Sequence, residues 1–225
     1  MEKNSYLRGA LEASQLFRGI KWDEMEQMLP CLSAEVREFD KDEFILLMGD
    51  ETREIGLVLS GAVEVIKEDY WGNRNIMGRM VPGDTFAESY ACVPGARLNV
   101  SVEASEKAQV LFMDVQKIMR TCESSCAFHG RLTQNLMMLL AAKNLYLNAK
   151  VNHMMQRTTR EKLLSYLSSE SVRQGSPAFD IPFNRQQLAD YLSVDRSAMS
   201  NELGKMRDEG LLEFDKNHFV LEVER

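Results

Sequence analysis

The chain has 225 residues, enough for one large domain or two modest ones, each with its own core. A formal net charge of −7 excludes a surface built throughout for nucleic acid and predicts weak non-specific DNA binding, yet phosphate contacts are local and a small basic patch can still serve. No apolar stretch reaches the roughly 18 residues of a membrane span, and MEKNSYLRGALEAS lacks the apolar core of a signal peptide. A cytoplasmic protein is therefore expected, with its four scattered cysteines, Cys31, Cys92, Cys122 and Cys126, as free thiols.

Residues 6 to 32 carry Leu11, Leu16, Phe17, Ile20, Met25, Met28 and Leu29 near helical spacing, which predicts short helices packed on the next unit. From Glu35 to Met113 the period changes to two. VREFDKDEFILL, EIGLVLSGAVEVIKED, NRNIMGRMVPGDTF and NVSVEASEKAQVLFMD are strand-like, punctuated by Gly49-Asp50, Ser60-Gly61, Trp71-Gly72-Asn73 and Pro82-Gly83-Asp84. Short alternating strands with such turns predict an all-β sandwich or barrel.

A helical region begins at residues 114 to 121 and runs, after a break, to about 150. Leu132, Leu136, Leu139, Lys143 and Tyr146 fall near a spacing of four and three, beside a second stripe of Met137, Leu140, Asn144 and Leu147. A long helix with so wide an apolar surface is expected to pair with a copy of itself through the first stripe, the alternative being a helix that lies wholly on its own barrel. A hinge is placed within Asn148 to Gln156. RTTREKLLSYLSSESVRQG follows as a helix with Leu163, Leu164 and Leu167 turned to a core, and GSPAFDIPF as a loop and short strand.

Residues 184 to 212, NRQQLADYLSVDRSAMSNELGKMRDEGLL, read as two short helices joined by a tight turn. Leu188, Ala189, Leu192 and Val194 form the apolar face of the first helix and the turn. Met199, Leu203 and Met206 form that of the second. Asp195 suits the N-cap, where its carboxylate accepts a hydrogen bond from an unpaired backbone N–H. Arg196, Ser197, Ser200 and Asn201 then open the second helix on its exposed side, with side chains able to read base edges in a major groove. Arg185, Gln186, Gln187 and Lys205 complete the expected DNA-contacting set. Residues 184–207 hold four basic side chains (Arg185, Arg196, Lys205, Arg207) against three acidic ones (Asp190, Asp195, Glu202). Gly210 ends the helix, and LLEFDKNHFVLEV alternates as a hairpin turning near Lys216-Asn217, so the whole predicts a winged helix.

RQQLADYLSVDRSAMSNELGKMRDEGLL resembles the DNA-binding segment of the Crp–Fnr superfamily of bacterial transcription regulators. GLVLSGAVEV and VPGDTFAES resemble its cyclic-nucleotide-binding-type jelly roll, so the likeness covers nearly the whole chain. Two positions depart: a glycine common in the turn is Ser193, and an apolar position of the recognition helix is Glu202. The resemblance implies an α+β architecture. A β jelly-roll sensor with N-terminal helices would occupy 1–120, a dimerisation helix and hinge 121–150, and a winged helix-turn-helix 151–225. It also implies that the long helix is a homodimer seam, which suits a palindromic operator read by two recognition helices about 34–36 Å apart. RNA polymerase is a further partner if the protein activates.

In cyclic-nucleotide sensors of this fold a Gly-Glu pair and an Arg-Ser about ten residues on hold the phosphate and ribose. The matching stretch here is FAESYACVPGARLNVSV. Glu88 matches the glutamate, Ala87 replaces the glycine, and Leu98-Asn99 stand where Arg-Ser belongs. Arg97 is one position early, and on a strand one residue turns a side chain to the other face. Cyclic AMP is therefore not expected. Phe86, Ala87, Glu88, Ser89, Arg97 and Asn99 are retained as the pocket of an unknown small or acidic effector, with Glu88 and Arg97 as a functional pair; the alternatives are a surface ion pair, or Arg97 as a solvated strand residue. No cofactor is expected. The iron–sulfur branch places several cysteines before the barrel, where this chain has only Cys31; Cys122 and Cys126, four apart, are a possible redox pair. The only histidines, His129, His153 and His218, lie outside the barrel. A cupin-type metalloenzyme, which converges histidines and carboxylates inside such a barrel, therefore lacks its ligands, and no enzyme is expected.

Overall fold

The structure, a computed structural model, describes residues 2–68, 74–120 and 127–222; Cys122, Cys126 and the expected turn at Trp71-Gly72-Asn73 lie outside them. The chain divides into two compact units between Ala142 and Lys143.

Unit 1 opens with helices α1 (Glu2–Ala13) and α2 (Trp22–Met28), each followed by a short 3-10 turn. Eight strands follow: β1 (Glu35–Phe39), β2 (Phe44–Leu46), β3 (Glu54–Ser60), β4 (Val63–Glu68), β5 (Arg74–Met80), β6 (Thr85–Phe86), β7 (Ser101–Ala104) and β8 (Ala108–Asp114). They form two four-stranded antiparallel sheets of order β1-β8-β3-β6 and β2-β7-β4-β5. This is the expected jelly roll. Strand β3 explains its own sequence, IGLVLS. Ile55, Leu57 and Leu59 pack against the N-terminal helices, while Val58 packs between the sheets with Phe86, Val110 and Phe112. A strand covered on both faces reads as a continuous apolar run. Gly61 turns β3 into β4 at φ 72°, and a Cβ there would lie 2.2 Å from the Lys107 carbonyl oxygen. No larger residue fits that turn.

Helix α3 (Glu88–Ala91) follows β6, α4 (Val115–Met119) follows β8, and α5 (Ala127–Met154) is the long helix. Here one expectation is corrected. Leu132 and Leu136 are 0% and 3% exposed and belong to the core of unit 1, with Leu16, Phe17, Met25 and Ile118. Leu139 is buried as well, while Lys143 and Tyr146 are exposed. The stripe proposed as a dimer seam is thus used within the chain over its first half. Polar contacts anchor it: Asn135 Nδ2 donates to the Leu16 and Arg18 carbonyls at 2.9 Å each, Thr133 Oγ1 donates to the Ile118 carbonyl at 2.7 Å, and Arg131 donates to the Gly19 carbonyl. The N-terminal helices supply the cover, so the barrel does not have to supply it alone. The helix also runs on to Met154, through most of the stretch expected to hold a hinge.

Unit 2 continues with α6 (Thr159–Gln174), β9 (Ala178–Asp180), α7 (Arg185–Leu192), α8 (Arg196–Asp208), β10 (Leu212–Asp215) and β11 (His218–Leu221). Thr158 and Glu161 close a reciprocal capping box at the start of α6. Leu163 and Leu167 face the core as expected. Leu164 does not; it is partly exposed, and Tyr166 takes the inward place. The three strands form a sheet of order β10-β11-β9, with the hairpin turning at Lys216-Asn217.

Candidate nucleic-acid interface

Helices α7 and α8 are held together by Leu188, Ala189, Leu192, Met199, Leu203 and Met206, all fully buried. Burying each of the larger side chains is worth about 1.5–3 kcal/mol. Asn184 and Gln187 form a capping box that starts α7, and Asp195 caps α8 by accepting from the Ala198 N–H at 2.7 Å. Ser193 makes the turn in left-handed conformation at φ 51°, its N–H directed at the last carbonyls of α7. Lys162 on α6 adds a clamp, its Nζ donating to the Leu192 carbonyl at 3.1 Å and less closely to that of Ser193 at 3.4 Å.

This frame leaves Arg196, Ser197, Ser200, Asn201 and Lys205 exposed on α8. Ser200 Oγ donates to the Arg196 carbonyl, and Lys205 stands 3.7 Å from the Glu202 carboxylate while remaining largely in solvent. The three predicted residues of α7 are more committed. The Arg185 guanidinium lies over Phe214 and Phe219 of the hairpin, 4.7 and 5.1 Å from the ring centres, and burial pulls its pKa below the usual arginine value. Gln187 is spent on the cap, and Gln186 donates to Asp190. Arg185 thus braces the wing instead of standing free, because an aromatic pair lies within reach.

The predicted effector residues do not converge. Phe86 fills the space between the sheets, edge-on to Phe112 at 6.2 Å, and occupies the room left by Gly56, where a Cβ would lie 2.1 Å from its ring. Ala87 is left-handed at φ 63° and opens α3. Glu88 is buried, whereas Ser89, Arg97 and Asn99 are exposed, with Leu98 turned inward between the last two. Arg97 donates to the Gly49 carbonyl at 3.0 Å and pairs with Glu51 at 3.4 Å, while Asn99 accepts from the Tyr90 hydroxyl. Of the readings open for Glu88 and Arg97, their pairing is corrected: the bridge between residues 51 and 97 points the guanidinium to another acid, and Arg97 stays largely in solvent. Beside it lies a cavity of about 520 Å³ whose lining includes Thr52, Arg53, Gln116 and Arg120.

A model of the cyclic nucleotide-binding domain matches residues 36–125, and a model of the Crp-like helix-turn-helix domain matches residues 161–225. The chain belongs to the Crp–Fnr family of transcription regulators. Among solved structures it is similar to the c-di-GMP responsive global regulator CLP of Xanthomonas campestris, at 18% identity over 89% of this chain and 98% of that one, with a TM-score of 0.54. It is similar to CprK complexed with OCPA, at 14% identity over 87% and 89%, with a TM-score of 0.56. It is also similar to the N-terminal domain of a transcriptional regulator from Streptomyces coelicolor A3(2), at 14% identity over 62% and 92%, with a TM-score of 0.50. At these identities the likeness is one of fold. No curated protein matches the chain.

Both departures of this Crp–Fnr chain have a structural account. Ser193 adopts the conformation a glycine would take. Glu202 is not a defect in the packing face, for Arg160 of α6 binds it at 2.5 Å and grips Glu209 with its other two nitrogens at 2.7 and 2.8 Å. These two carboxylates hold the Arg160 pKa well above its usual value. The sequence reading overlooked Arg160, Lys162 and Lys216. A basic residue at a hairpin tip was a visible signal for Lys216; the other two had none, since their partners are 30 or more residues away.

Proposed function

We propose that this regulator is a homodimer that reads a two-fold symmetric DNA site through α8 and responds to a small anionic effector bound on unit 1. The observation that carries the DNA reading is the open row Arg196, Ser197, Ser200, Asn201 and Lys205 on a helix whose start is fixed by the Asp195 cap. Guanidinium, hydroxyl and amide groups at a helix start suit base edges, and Lys205 and the exposed hairpin-tip Lys216 suit phosphates.

Dimerisation is assigned to α5, on a different face from the stripe with buried leucines. Gln134, Met138, Ala141, Leu145 and Asn148 are exposed at alternating spacings of four and three. Met138 and Leu145 are 56% and 70% exposed, too apolar for a helix left in water along its whole length. For the effector, Arg53 and Arg120 beside Thr52 and Gln116 favour an anion, since the one acid of the same lining, Glu51, is paired with Arg97. Cyclic AMP remains excluded from the proposal by the left-handed Ala87 and the outward Arg97. RNA polymerase is the partner if the regulator activates, and the cytoplasm the place of action. Selection from a random DNA library, with and without cell metabolites, tests the reading. A palindromic consensus with half-sites about 10–10.5 base pairs apart supports it; recovery of unselected sequence sinks it.

A further inference from the structure

Helix α8 presents its exposed row from Arg196 to Lys205 on one side and meets the core of unit 2 through Met199, Leu203 and Met206 on another. Apolar packing has no direction of its own, and methionine, unbranched and adaptable, specifies an orientation poorly. Two of these three core contacts are methionines, so they hold α8 to the core but fix its rotation about its own axis only loosely. That rotation matters for reading. Side-chain tips lie about 5–6 Å from a helix axis, so a turn of roughly 20° carries them about 2 Å. A hydrogen bond to a base edge tolerates only about 2.7 to 3.2 Å between heavy atoms.

A directional brace stands on the remaining side. Glu202 and Glu209 are close to two helical turns apart, and so share a side of α8 away from Arg196, Ser197 and Ser200. Both carboxylates converge on one guanidinium. Arg160 Nε donates to Glu202 at 2.5 Å, and its two terminal nitrogens donate to the two Glu209 oxygens at 2.7 and 2.8 Å. Every nitrogen of the planar fork is engaged by a carboxylate of the same helix, so the contact fixes an angle as well as a distance. Arg160 is itself held in the first turn of α6, which the Thr158–Glu161 box starts. Two residues on, Lys162 donates to the Leu192 and Ser193 carbonyls at the corner before α8. The other oxygen of Glu202 stands 3.7 Å from Lys205, which ties the brace to the exposed row.

Resting on the reading of DNA by α8, we infer that Arg160 is a positioning residue for sequence recognition: it sets the rotation at which Arg196, Ser197, Ser200 and Asn201 meet the bases, without touching DNA itself. A rotated helix misplaces all of its reading side chains together, so loss of Arg160 blurs every base pair that α8 reads in a half-site. Phosphate attraction tolerates such shifts, so binding to random DNA changes little.

The test is selection from a random DNA library, then titration of the selected operator and of random DNA, with wild type, Arg160→Lys and Arg160→Met/Glu202→Leu. Lysine keeps the charge but cannot hold two carboxylates as a fork. The double variant replaces the Arg160–Glu202 pair by apolar contact, which preserves folding where a lone substitution would leave a partly buried carboxylate unpaired. Circular dichroism fixes a temperature at which all three proteins are folded. Each variant should lose about tenfold in the ratio of operator to random-DNA affinity, spread over all positions of the half-site, with affinity for random DNA within about twofold of wild type. A purely stabilising role would lower the melting temperature and leave that ratio untouched, which overturns the inference. A loss confined to one base-pair position, the mark of a direct contact, overturns it too. In both cases wild type still selects its operator and the DNA reading stands. If wild type selects no sequence, the DNA reading fails and the inference falls with it.

Discussion

Among the described residues, five non-glycine side chains, those of Ser33, Asp42, Ala87, Ser193 and Lys216, sit where the backbone prefers glycine. Ser193 holds φ 51° at the helix-turn-helix corner. A left-handed L-residue costs about 1–2 kcal/mol, and glycine gives back roughly 0.5–1 kcal/mol of that through its freer unfolded chain. Ser193→Gly should therefore stabilise unit 2 by about 0.5–1 kcal/mol, read as a shift in urea midpoint at unchanged slope. A loss of stability would mean that the serine hydroxyl has a role the turn geometry does not reveal. In the proposed DNA reading, Arg196 is the residue to test. If it contacts guanine O6 and N7, Arg196→Ala costs about 1–3 kcal/mol per half-site and relaxes one base-pair position symmetrically in each half. If it touches only phosphate, affinity falls alike on all sequences and the salt dependence becomes shallower. The capped position at the helix start favours guanine, and library selection with both proteins separates the outcomes.

The long helix illustrates how one element can carry two surfaces. Its Leu132 and Leu136 are enclosed by the N-terminal helices and strands, while Met138 and Leu145 face outward. Charge placed on either surface should have different consequences. Met138→Asp and Leu145→Asp should leave each protomer folded and split the dimer, because a carboxylate buried in a paired seam is not solvated. Leu136→Asp should instead unfold unit 1. Sedimentation velocity combined with circular dichroism distinguishes them; a dimer that survives both outward substitutions places the interface off α5. At the far end of the helix, His153 packs against Tyr166 and Tyr191 between Ser165 and Ser169, with Glu170 the charge acting on it from α6. Its pKa is lowered in the folded chain from 6.5, so below that value the unfolded chain takes up the proton more readily. Stability should be full above about pH 6.5 and fall as pH drops towards the lowered folded value. In His153→Gln that decline should flatten, as followed by thermal melts between pH 7.5 and 5.

At the scale of the whole molecule, a net charge of −7 sets a background against DNA that only a specific site can overcome. Binding to random DNA should accordingly be weak at physiological salt, with selectivity resting on base contacts. The same scale governs the ligand response. Cyclic AMP at tens of micromolar should not raise the melting temperature, since a ligand stabilises only a folded state that binds it, and Ala87 and the outward Arg97 do not offer the phosphate its usual partners. A saturable rise abolished by Arg97→Ala would restore that residue to the phosphate role; a rise that survives the change would place the nucleotide elsewhere.

Local chemistry was enough to determine much of this protein. The period-two run from Glu35 to Met113, the Asp195 cap, the Met199–Leu203–Met206 stripe and the Lys216-Asn217 turn are short-range patterns, and each predicted the element that is found. Contacts between distant segments decided the rest. Which stripe of α5 faces outward depended on where Leu16 and Phe17 came to lie, more than 110 residues earlier. Arg97 met Glu51 instead of Glu88, Arg185 met Phe214 and Phe219, and Glu202 met Arg160, because a long side chain takes the nearest partner the fold offers. Periodicity tells a residue which way to face along its own element; only packing of the elements tells it what it faces.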